Sequence, residues 1–105
     1  MATMIRTVTL ALDGEFDITS RDDLERAVLD AVAAAGTGDD VVDLHGVSYI
    51  DSEAVAAIIA GYRAALAAGS GYRLARARGL VRRVLDIAGL WDLIGEEDGA
   101  AERPA

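Results

Sequence analysis

The sequence predicts an α/β domain with a small, largely parallel β-sheet, and three observations carry that prediction. Strand-like and helix-like segments alternate along the chain. Each helix-like segment is closed by glycine, at Gly36, Gly69 and Gly89. The middle strand, around Val41, Val42 and Leu44, carries apolar residues on both faces, as a strand inside a covered parallel sheet does. At 105 residues the chain suits one domain with one core.

From Ile5 to Asp13, Val8, Leu10 and Leu12 point one way and Thr7, Thr9 and Ala11 the other, a strand with one larger-residue face that Gly14 ends. Asp17 to Ser20 offers capping candidates, and Asp22, Asp23 and Glu25 place negative charge in the first turn, where the helix dipole favours it. Leu24, Val28, Ala31, Val32 and Ala35 recur at helical spacing. Asp39-Asp40 reads as a turn, followed by the buried strand and a tight connection at Gly46. A second helix after Ser52 carries Val55, Ile58, Ile59, Tyr62 and Leu66. Tyr72 to Ala77 is the third strand, and a third helix from Gly79 aligns Val81, Val84, Leu85 and Ala88. Leu90 to Ile94 is a short apolar appendage, and the acidic, aperiodic stretch from Gly95 to Ala105 is expected to be disordered. Right-handed crossovers would join the parallel strands.

Bulk composition excludes several functions. A formal net charge of −8 disfavours nucleic acid and anionic lipid alike, since both require a basic face. No cysteine is present, which removes disulfides, a thiolate nucleophile and Cys-based metal sites. The N-terminal residues lack a secretory profile, and the most apolar stretch, Ala54 to Ala68, is short for a bilayer and broken by Arg63. A soluble cytoplasmic protein, monomeric for want of a coiled-coil pattern, is the expectation.

The chemistry that remains is sparse. His45 is the only histidine and has no neighbour with which to bind metal or activate a serine. Asp13, Glu15 and Asp17 lack the downstream glutamate of a calcium loop, and Gly69-Ser70-Gly71 lacks the lysine of a phosphate loop. Neither metal nor cofactor is therefore expected. Arg73, Arg76, Arg78, Arg82 and Arg83 form the one basic stretch, either a solvated surface or a docking face for a partner carboxylate. Trp91 either packs at the domain edge or anchors an interface. Ser52 stands out: Asp51-Ser52 precedes the Ala-rich helix, where backbone N–H groups and the positive dipole end gather. Its hydroxyl either caps the helix or accepts a phosphate, which would add about two negative charges to that surface.

Three segments resemble the anti-sigma factor antagonist family, the bacterial single-domain STAS proteins. Gly14-Glu15-Phe16-Asp17-Ile18 resembles its GELDL turn. The run Val41 to Ser52, VVDLHGVSYIDS, resembles its vvlDLsgvtfiDS signature. Leu74 to Leu90, ending in Val81 to Leu90, resembles its vrrvLeltGL close. The resemblance implies a STAS-type sheet packed with three to four helices over residues 1–94, leaving 95–105 as the tail. It further implies a non-enzymatic partner switch in a bacterial transcription or stress response. In that family the unphosphorylated protein binds an anti-sigma factor that is also a serine kinase and so frees a sigma factor. The kinase phosphorylates the serine after the signature aspartate, and a phosphatase resets the switch. Carried over, Ser52 is the phosphoacceptor, and Asp17, Asp51, Ser52, Glu53, Val55 and Ala56 are partner-binding positions. The family usually continues Asp-Ser-Ser/Thr-Gly-Leu, whereas Glu53-Ala54-Val55 follows here. A STAS accessory subunit of an ABC-type lipid transporter is the alternative role.

Overall fold

The computed structural model describes residues 6–90 and Leu93. The expected tail, Trp91 and the rest of the 90–94 appendage lie outside the described residues. The elements run β1 (Thr7–Phe16), one 3-10 turn (Ile18–Ser20), α1 (Arg21–Ala35), β2 (Asp39–Ile50), α2 (Ser52–Ala68), β3 (Gly71–Ala75) and α3 (Gly79–Ile87). The three strands form one parallel sheet in the order β1-β2-β3. This is the α/β arrangement read from the sequence.

Register explains which side chains share a face. Val8 pairs with Asp40 and Asp40 with Tyr72; Leu10 pairs with Val42 and Val42 with Leu74. This face meets α1 and α2, because the Tyr72 hydroxyl donates to the Ile58 carbonyl of α2 at 2.8 Å. Val81 and Leu85 of α3 join Leu24, Val28, Val42, Leu44, Ile58 and Leu74 in a single core. At about 25 cal/mol per Å² of apolar surface, such aliphatic burial is what holds a domain this poor in aromatics together.

β1 and β2 run further than periodicity indicates, whereas β3 ends at Ala75 and not at the expected Ala77, because Arg76 takes a positive φ. Gly14 does not end β1; its φ of +101° lets the strand bend and continue to Phe16, where the register shifts against β2. Nor does Gly46 break β2. A Cβ there would run into the Asp13 carboxylate and the Leu12 carbonyl, so glycine allows close approach of two irregularly paired strands. Asp39 and Asp40 are not a turn but the first pairs of β2, opposite Thr7 and Val8. Glycine makes the turn instead, with the Gly38 N–H donating to Ala35 and the Gly38 carbonyl accepting from Gly71.

In α1 the buried residues are Leu24, Val28, Ala31, Val32 and Ala35, the stripe its periodicity indicates. In α2 they are Ala54, Val55, Ala57, Ile58, Gly61 and Ala65, while Leu66 is exposed. Small residues bring α2 close: a Cβ on Gly61 would sit 2.6 Å from the Tyr72 hydroxyl and 3.1 Å from Val28 of α1. In α3, Val81 and Leu85 are buried but Ala88 lies outside, at the exposed C-cap. None of the described helices is long and apolar enough to cross a membrane.

Candidate functional site

Phe16 and Ile50, the last residues of β1 and β2, are paired, so the chain leaves both strands side by side. An aspartate follows each. Asp17 adopts extended backbone and its Oδ1 accepts from the Thr19 N–H at 2.9 Å and the Thr19 hydroxyl at 2.6 Å. Its own N–H donates to Ser20 Oγ, which closes a capping box. The Thr19 hydroxyl, then its N–H, hold the Asp17 carboxyl below its ordinary range. Asp51 does the same work for α2. Its Oδ1 accepts from the N–H groups of Glu53 and Ala54, both at 3.0 Å, and its N–H donates to the Phe16 carbonyl at 3.2 Å. One strand end is thereby tied to the other helix start.

Asp51, not Ser52, is the cap, so the capping alternative for Ser52 does not hold. A carboxylate one residue earlier reaches both orphan N–H groups and is the stronger acceptor. Ser52 is the first helical residue, exposed, and its hydroxyl makes no hydrogen bond to the described residues. Glu53 is half-buried and turns back to the Arg21 guanidinium at 3.4 Å, which also reaches Glu25 at 3.6 Å. Val55 points into the core at 7% exposure, so of the six positions carried over it is the one that seats the helix rather than facing outward. Ala56 is half-buried.

Two residues at this end were not among the expected partner-binding positions. Ile18 is 67% exposed, an apolar side chain on the 3-10 turn beside α2. In the sequence it closes the Gly14–Ile18 motif, where nothing local marks it as exposed. Arg21 joins α1 to α2 through Glu53, a contact between residues distant in sequence that no local pattern reveals. The site therefore offers an exposed hydroxyl, three carboxylates and one apolar side chain. No imidazole stands near to activate the hydroxyl: His45 instead lines a cleft with Gly79 and Leu80, and its carbonyl accepts from Arg78 at 3.3 Å. Among the described residues no three acidic or imidazole side chains are grouped as metal ligands.

Of the other predicted basic positions, Arg76 is paired with a carboxylate. Arg76, at a φ of +61°, holds Asp43 through two contacts of 2.6 and 3.1 Å, which lower the Asp43 carboxyl below its usual range.

A family model described as "Mlab, STAS domain" matches residues 4–95. Among solved structures, a Thermotoga maritima protein described as an anti-sigma factor antagonist is similar at TM-score 0.74 and 21% identity, covering 91% of this chain and 85% of that one. A sulfate transporter family protein from Wolinella succinogenes is similar at TM-score 0.69 and 20% identity, covering 88% and 74%. The Bacillus cell fate determinant SpoIIAA in its phosphorylated form is similar at TM-score 0.63 and 23% identity, covering 100% and 96%. At these identities the likeness establishes the fold. No curated protein sequence matches the chain significantly.

Proposed function

We propose, since the chain belongs to the STAS domain family, that it is an anti-sigma factor antagonist: a binding module, not an enzyme, switched by phosphorylation of Ser52. One observation carries the reading. Ser52 is exposed at the first position of α2 with a hydroxyl that bonds to none of the described residues, because Asp51 already caps the helix. A modification there alters the surface without removing a side-chain hydrogen bond among the described residues.

The expected mechanism follows from charge. A phosphate on Ser52 would add about two negative charges beside Asp51, Glu53 and Asp17, while the helix dipole offsets part of that repulsion, typically 0.3–1 kcal/mol. A partner seated on Ile18, Ala56 and the Ser52 backbone would meet a dianion and lose close contact. Its acidic groups would be repelled and its apolar groups would desolvate a charge. The partner in this reading is an anti-sigma factor with serine-kinase activity, in the cytoplasm, with a phosphatase restoring the unmodified state. Glu53 does not stand free beside the phosphate, being paired with Arg21, which lessens the repulsion its carboxylate would otherwise add.

The test is intact-mass spectrometry after incubation with ATP and each candidate serine-kinase anti-sigma factor. One added phosphate in the wild type and none in Ser52→Ala is the expected result. Absence of both phosphate and binding would refute the reading.

A second reading has its own support: the matching model's Mlab description, the transporter-family neighbour, and Glu53-Ala54 where phospho-switched relatives carry Ser/Thr-Gly. In it the chain is an accessory subunit of an ABC-type lipid transporter. Co-purification with the transporter ATPase, unaffected by Ser52→Ala, would select it.

A further inference from the structure

We propose that the outer face of α3, together with the cleft at its N-terminus, is a second docking surface, fitted to an acidic amphipathic helix of a partner protein. It is independent of the phosphorylation reading and uses none of the residues around Ser52.

The first observation is the helix itself. Val81 and Leu85 fill the core, so the opposite side of α3 should be polar. Instead Leu80 is 55% and Ile87 81% exposed, with half-buried Val84 between them. Positions 80, 84 and 87 form one row at the spacing of a helical face. A nine-residue helix with apolar residues on both sides presents a surface that water solvates poorly.

Charge is the second observation, and it names the partner's chemistry. α1 begins with Asp22 and Asp23 and α2 with Glu53, each opposing the positive end of its helix. α3 has no acidic residue in its first turn, its N-cap is Arg78, and no side chain caps its free N–H groups. Arg83 is exposed between Leu80 and Ile87 on the same face. In a chain with a net charge of −8 this is a locally basic, apolar strip. Carboxylates on a partner would meet Arg78, Arg83 and the uncapped helix start, while its leucine-like residues would cover Leu80 and Ile87.

A cleft of about 390 Å³ continues the strip past the helix start, between Leu80 and Gly79 on one side and Val47 and Ser48 of β2 on the other. Because the cleft is open to solvent, it suits an anchoring side chain or helix end and not a ligand enclosed on all sides. An anchoring residue of the partner fits there.

The probe is a fluorescein-labelled synthetic helical peptide with leucines on one face and glutamates on its flanks, titrated against the full chain by anisotropy. The expected result is saturable binding that Ile87→Glu and Arg83→Glu each weaken about tenfold or more. Ser52→Ala should leave the affinity unchanged, and the same peptide with lysine in place of glutamate should not bind. Both helix variants alter exposed side chains, so unchanged melting curves are expected and would confirm intact folding. Backbone amide shifts should concentrate on α3 and the Gly46–Ser48 segment. The proposal is overturned if the acidic peptide does not bind, if the lysine peptide binds equally, or if the α3 variants bind as the wild type does. Concentration-dependent self-association abolished by Ile87→Glu would overturn it too, by giving the surface to a second copy of the chain.

Discussion

The two ends of β2 carry aspartates in opposite circumstances. Asp40, near the start, is fully buried, and neither of its carboxylate oxygens has a hydrogen-bond partner among the described residues. Asp51, just past the end, is half-exposed and accepts from two backbone N–H groups. The same side chain thus opposes folding at one end and organises a helix start at the other. Burial without a partner penalises the charged form, whereas two N–H donors use it. At the candidate site the carboxylate of Asp51 is satisfied by backbone N–H groups, which leaves the Ser52 hydroxyl outside the helix cap.

The sharpest way to break this contrast is to remove the charge on Asp40. Burial pushes its carboxyl up to about 6, from an ordinary value of 3.8. The folded state therefore holds a proton that the unfolded state has lost between roughly pH 4 and 6. Below that window the carboxyl is neutral in both states and adds no cost from charge; through the window stability falls as pH rises, and above it the full charge-linked cost remains. That cost is on the order of 3 kcal/mol at most. Asp40→Asn should melt higher than the wild type at pH 8 and match it near pH 4. Asp17 and Asp43, whose values are lowered, act with the opposite sign as pH falls, so the difference between variant and wild type is the quantity to follow. Equal melting curves at pH 8 would show that Asp40 finds a partner in solution.

Gly61→Ala should be next in size. Alanine is favoured over glycine within a helix by about 1 kcal/mol. Here the added Cβ would press on the Tyr72 hydroxyl, which burial and then the charge of Asp40 hold firmly protonated, and on Val28. Because Tyr72 is fixed by its bond to Ile58, we expect the clash to win, with a net loss of about 1–2 kcal/mol in urea unfolding. A gain in stability would mean that α2 can move off the sheet.

These positions also mark what the sequence discloses. The buried stripe of α1 is legible because its other side is charged, so apolar and polar residues separate cleanly by period. α2 has no such contrast: alanine and glycine lie all around it, larger residues attract attention, and Leu66 proves exposed while Gly61 is buried. The second half of β2 is hidden because Gly46 reads as a break, when it answers to Leu12 and Asp13 on a neighbouring strand. Likewise the contiguous run Asp51-Ser52 announces the site, but Ile18 and Arg21 reach it only through the Phe16–Ile50 pairing and the packing of α1 against α2. Local order is visible in the chain; proximity made by the sheet is not.

At the other end of β2, Asp51→Ala should cost about 0.5–2 kcal/mol, the range for losing an N-cap. Asp51→Asn and Asp51→Ser should recover most of it, since either can still accept from Glu53 and Ala54. Failure of both to rescue would show that charge, through the dipole, and not the hydrogen bonds, is what α2 needs.

The smallest effect on stability belongs to the residue with the largest proposed consequence. Ser52→Ala removes a hydroxyl that bonds to nothing described and stands exposed at a helical position where alanine is at least as well suited. Its unfolding free energy should stay within about 0.5 kcal/mol of the wild type. The comparison with Asp51→Ala then separates two explanations of any lost regulation. If Ser52→Ala abolishes phosphate incorporation at unchanged stability while Asp51→Ala weakens the fold, the hydroxyl serves modification and the carboxylate serves structure. If Ser52→Ala costs as much as Asp51→Ala, the serine contributes to the helix start after all, and an exposed, unused hydroxyl no longer supports the switch.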